Sequence, residues 1–197
     1  MTIVEKYAKY REQINNGDII LVRGNSVLAR LINWGDAKGG RNAYFNHALV
    51  VLKQEFQENI RLFSLESEAH GVTPNFLSQE LLSVDDFVIV RPIAPQEVID
   101  KAVNIVFNEG EKGIPYNYGM LFKVLMARKF GYNSKKLGSD EHKEICSVFA
   151  AQTYGGLIPL KCYSKEAINQ PFITPQDIIR FADPSEVKQL AVEVLCP

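Results

Sequence analysis

Residues 47–53, HALVVLK, set five aliphatic or small residues in a row between a histidine and a lysine. The run reads as a strand. Working outward, residues 60–69 (IRLFSLESEA) and 87–91 (FVIVR) read as two further strands. Upstream, residues 18–23 (DIILVR) form another, behind the turn signal Asn15–Asn16–Gly17. An amphipathic helix over 4–14 precedes that turn, and Ser26 caps a second over 26–34. Residues 35–44, rich in glycine and polar side chains, read as a loop. Thr73–Pro74 opens a short helix through Leu82, with proline at its first position. A longer helix runs over 95–109, with Val98, Ala102, Ile105 and Val106 on one face and Gly110 as its C-cap. Helical spacing recurs over 117–130 and 145–154, Thr174 caps another helix start, and 187–195 reads as a final strand. Strands come early and helices late, which predicts an α+β fold with an antiparallel sheet packed against helices.

The composition agrees with a folded domain. The chain has 197 residues, 46% of them hydrophobic, which predicts one domain over 1–197 with a core large enough to need no disulfide framework. Its 22 basic and 23 acidic side chains leave a net charge of −1, which argues against a nucleic-acid partner. Three cysteines, Cys146, Cys162 and Cys196, are scattered without a metal-binding spacing. A zinc set of His142, Cys146 and Cys162 fits no common pattern, so neither a metal nor a cofactor is expected. Glu5 and Lys6 stand where a signal peptide would have its apolar core, and no apolar run approaches the ~20 residues of a membrane span. A cytoplasmic protein is the expectation.

Cys146 is the most informative residue for chemistry. It opens an apolar helix-like run directly after a charged loop, and a thiol at a helix N-terminus is shifted toward the nucleophilic thiolate. The plainer reading is a buried structural cysteine. A thiolate needs a base, and the histidines are His47, His70 and His142. His142 sits in a segment of charged residues and His70 in a turn, whereas His47 begins a strand and would be held rigidly at a sheet end. A third group must orient the imidazole. Ser64, Glu66 and Glu68 alternate along one face of the neighbouring strand, and spacing alone does not choose between the two glutamates.

Five short stretches, in this order, also carry a resemblance: Asn16–Gly17–Asp18–Ile19–Ile20, then 46–51 (NHALVV), 68–72 (EAHGV), 113–118 (GIPYNY) and 145–147 (ICS). The chain resembles the circularly permuted papain-like enzymes of the NlpC-type superfamily, the YiiX/YebB/YaeF-like group. In the unpermuted arrangement the cysteine precedes the histidine, whereas here the histidine comes first. The resemblance implies a permuted papain-like fold, Cys146 as nucleophile, His47 as general base and acid, and Glu68, directly before the alanine, as orienting residue. It also implies that Tyr116 helps bind substrate.

The implied reaction is hydrolysis of an amide in a small peptide or amino-acid conjugate, through a thioester. Lipid acyl transfer or thioester hydrolysis at the same residues is the alternative, and a catalytically silent ligand-binding module is another. Residues 119–136 carry five basic side chains and no acidic ones beside Leu121, Phe122, Leu125 and Met126. Such a helix permits contact with an anionic membrane surface without indicating it, since a core-packed helix with a lysine face reads the same way. Nothing in the sequence decides the oligomeric state.

Overall fold

A computed structural model describes residues 1–36, 44–57, 59–68, 71–92, 94–110 and 192–194, together with Thr153, Pro175 and Ile178. Its elements are α1 (Ile3–Tyr10), a 3-10 turn (Arg11–Gln13), β1 (Ile19–Arg23), α2 (Val27–Asp36), β2 (His47–Phe56) and β3 (Asn59–Glu68). They are followed by β4 (Gly71–Phe76), α3 (Leu77–Leu82), β5 (Asp86–Pro92), α4 (Gln96–Gly110) and β6 (Val192–Val194). Among the described residues the five strand pairings are antiparallel, in the order β4-β3-β2-β1-β5-β6. The α+β class and the antiparallel sheet packed against helices are therefore present. Among the described residues, no helix is long and apolar enough to cross a membrane.

The central strands read as unbroken apolar runs because both faces of the sheet are covered. On one face Leu21, Ala48, Val50, Leu65, Val88 and Val90 meet Ile99, Ala102 and Val103 of α4, and Ile178 joins them. On the other, Ile20, Val22, Leu49, Val51, Leu62, Phe87 and Ile89 pack under Leu77 and Leu81 of α3, with Ile14 and partly buried residues of α1. On α4 the buried stripe is Ile99, Ala102 and Val103, while Ile105, expected on the core face, is 39% exposed. The helix is rotated slightly from the expected face, so that the pair Ile99–Val103 points at the sheet.

Caps and turns follow local chemistry. Thr2 and Glu5 form a capping box at the start of α1, and the Ser26 hydroxyl accepts from Ala29 N–H at 3.1 Å at the start of α2. Lys6 of α1, nearly buried, donates to Asp86 at 2.8 Å. Burial raises the Asp86 carboxyl, but hydrogen bonds from Lys6, the Tyr44 hydroxyl and the Phe87 N–H outweigh it and hold it below the usual carboxylate range.

The segment from Thr73 departs from the sequence expectation. It is not the first turn of a helix but the second half of β4, and α3 begins only at Leu77. Pro74 stands across from Leu65 on the outermost strand of the described order, the kind of place in a sheet where proline is tolerated. Elsewhere the differences are of length: β2 extends to Phe56, and of the strand expected over 187–195 the described part is Val192–Val194. The helices expected over 117–130 and 145–154 lie outside the described residues, apart from the helical Thr153.

One buried ion pair anchors the middle of the sheet. Gly17 adopts φ 82° to turn the chain into β1, and its N–H donates to Val51 O at 2.8 Å. Asp18, 1% exposed, then receives Arg91 Nε and Nη2, each at 2.8 Å, and the Asn15 N–H at 2.8 Å. Burial pushes the Asp18 carboxyl above its ordinary range, and Arg91 and Asn15 pull it only part of the way back. A raised carboxyl binds its proton more readily in the folded chain, so the group favours folding most at low pH and loses that contribution as pH rises through the folded value. Arg91→Ala removes the counter-charge and is expected to cost about 3 kcal/mol at neutral pH. Urea unfolding should show that loss shrinking toward pH 4, where Asp18 can protonate.

Candidate active site

His47 is the first residue of β2, and the residue before it sets its position. Asn46 is buried at the end of the loop, and its Oδ1 accepts from Gly24 N–H at 2.9 Å while its Nδ2 donates to Gly24 O at 3.0 Å. The Asn46 N–H donates to Val22 O at 3.0 Å. These bonds staple the start of β2 to the end of β1, where Val22 pairs with His47. The approach is close, for a Cβ on Gly24 would meet Asn46 Oδ1 at 3.3 Å. Backbone at both ends of His47 is thus held by hydrogen bonds.

Side-chain alternation puts His47 on the face of Leu49 and Val51, the face under α1 and α3. There Nε2 meets Glu66 Oε2 at 2.9 Å. The two ends differ in exposure, the histidine side chain at 30% and the glutamate at 5%. An ionised carboxylate only accepts hydrogen bonds, so against it Nε2 is the donor. The other carboxylate oxygen, Oε1, accepts from the Ser64 hydroxyl at 2.8 Å, and Ser64 is fully buried. The result is a chain from a buried hydroxyl through a buried carboxylate to a half-exposed imidazole. An imidazole so held has the orientation and tautomer that a general base needs.

The resemblance pointed to Glu68 as the orienting residue, yet the carboxylate that reaches His47 is Glu66. β2 and β3 pair from Phe56↔Asn59 to Val50↔Leu65, and continuing that register places Glu68 directly across from His47 and Glu66 on the diagonal. Diagonal neighbours lie about 7–8 Å apart at the backbone, within reach of a long side chain aimed along the strand. The backbone of Glu68 pairs with Gly71 of β4 at the end of β3, and its side chain lies outside the described residues. Cys146 and Tyr116 also lie outside them, as do His70 and His142. Of the sequence candidates, the structure therefore brings together His47, Glu66 and Ser64. Asn46 was passed over as a mere neighbour, although a buried carboxamide one residue before a strand is a recognisable backbone clamp.

The arrangement is that of an α+β protein carrying a buried carboxylate–histidine pair at one end of a central strand. Among solved structures the chain is similar to the metalloprotein YiiX from Escherichia coli O157:H7, a domain of unknown function. The match has a TM-score of 0.61 at 14% identity and covers 93% of this chain and 97% of YiiX. The fold is therefore YiiX-like. No protein-family model matches the chain, and no curated protein does.

The assignment of Glu66 has a direct spectroscopic consequence. Imidazole 15N NMR should find His47 as the Nε2–H tautomer, with the preference lost in Glu66→Leu and kept in Glu68→Leu.

Proposed function

We propose that the protein is a cysteine hydrolase of permuted papain-like design in which Cys146 is the nucleophile, His47 the base and Glu66 the orienting carboxylate. The observation that carries this reading is the His47–Glu66 contact of 2.9 Å, with the carboxylate end buried and the imidazole end partly open. The order of the five sequence motifs and the YiiX-like fold support it. Cys146 enters through its place at a helix-like N-terminus after a charged loop.

In this scheme His47 Nδ1 takes the thiol proton, while Glu66 holds Nε2–H and stabilises the imidazolium that forms. The thiolate adds to an amide carbonyl, and the imidazolium returns the proton to the departing amine as the C–N bond breaks. Water then attacks the thioester, giving a proton to His47; the C–S bond breaks as His47 returns that proton to the Cys146 sulfur, and the acid is released. Tyr116 helps hold the substrate, an amide in a small peptide or amino-acid conjugate. The word metalloprotein belongs to the description of YiiX. Here, among the described residues, no three His, Cys, Asp or Glu side chains group together.

The test is alkylation by iodoacetamide, read by peptide mass spectrometry with Cys162 and Cys196 as internal controls. At pH 6.5 Cys146 should react about tenfold or more faster than the other two, as expected for a thiolate of lowered pKa. His47→Ala should slow it to their rate. Equal rates for all three cysteines in the unmodified protein would replace this reading with a silent binding module.

A further inference from the structure

We infer that Ser64 is a positioning residue for His47, acting through Glu66; its kinetic consequence, though not its structural one, rests on the cysteine-hydrolase reading. Ser64 lies on β3 between β2 and β4, opposite Val51 and Asn75, and is completely buried. Of its neighbours on that face, Leu49, Val51 and Leu62 are aliphatic, and Asn75 lies directly across on β4. The hydroxyl donates to Glu66 Oε1 at 2.8 Å, whereas its distance to Asn75 O is 3.5 Å, beyond a good O–H···O bond.

The consequence follows from the softness of a glutamate terminus. Rotation of the carboxylate about its last bond has no sharp staggered wells, so a single hydrogen bond to His47 leaves the plane free to swing. Bonds to both oxygens from opposite sides remove that freedom. Oε1 is held by Ser64 and Oε2 is then aimed at Nε2. The two residues reach each other because positions two apart in a strand share a face. A buried serine thereby sets which carboxylate oxygen the imidazole meets.

The experiment compares the intact protein with Ser64→Ala and Ser64→Thr, each verified by its thermal midpoint. Imidazole 15N NMR should show the His47 Nε2–H preference weakened in Ser64→Ala and restored in Ser64→Thr. Alkylation of Cys146 at pH 6.5 should slow about fivefold in Ser64→Ala, the weight of one net hydrogen bond, and recover with threonine. Loss of packing alone would lower the midpoint without changing the tautomer. If Ser64→Ala does not fold, Ser64→Cys, of similar shape and with a weaker donor, is read in its place. Imidazole signals in the alanine (or cysteine) variant identical to those of the intact protein would overturn the inference. Should Cys146 prove no more reactive than the other cysteines, the hydrolase reading fails while the NMR comparison still decides the role of Ser64.

Discussion

The two-pronged contact between Arg91 and the buried Asp18 is the constraint on which the rest of the sheet depends. It closes the turn at Gly17 and ties the entry of β1 to β5, with Asn15 satisfying the carboxylate from the loop side. β1 lies between β2 and β5, so its placement fixes the register of both neighbours. At its other end the Asn46 clamp on Gly24 repeats the device. Both ends of β1 are pinned by buried polar groups, and slippage by one residue would exchange the side chains packed on its two apolar faces and break both clamps.

The same logic governs the candidate site. A carboxylate buried among aliphatic side chains is costly unless donors surround it. Glu66 has two, a hydroxyl fully inside and an imidazole at the boundary with solvent. Burial at one end and exposure at the other give the pair a direction: the rigid end lies within the fold, and the end able to exchange protons faces outward. Networks of this kind specify a single arrangement because any partly satisfied alternative is expensive.

The legible parts of the sequence were those with strong local chemistry. The runs 18–23, 47–53 and 87–91 declared themselves as strands because burial on both faces leaves no room for polar residues. Ser26 was readable as a cap, and Asn15–Asn16–Gly17 as a turn, because each depends on neighbours within four residues. Pro74 was misread because proline suits a helix's first turn and an outermost strand equally well. Only the presence of β3 alongside distinguishes them. On α4 the expected face holds for Ala102, Val98 and Val106, which lie in or against the core, but not for Ile105, since helical periodicity identifies a stripe but not which edge of it the sheet will cover.

What the sequence by itself determined was the class of fold, an antiparallel sheet with helices, and the singling out of His47 at a strand start with a polar face on the strand beside it. Those follow from period and turn chemistry, which act over a few residues. What only the tertiary structure decided was which glutamate meets the imidazole. Ser64, Glu66 and Glu68 share one face by alternation, and nothing local ranks them. Register continued past Val50↔Leu65 sets Glu68 directly across from His47, yet the imidazole meets Glu66 on the diagonal, and Ser64 holds the other oxygen of that carboxylate. Such contacts join segments distant in the chain, so they exist only once those segments are packed.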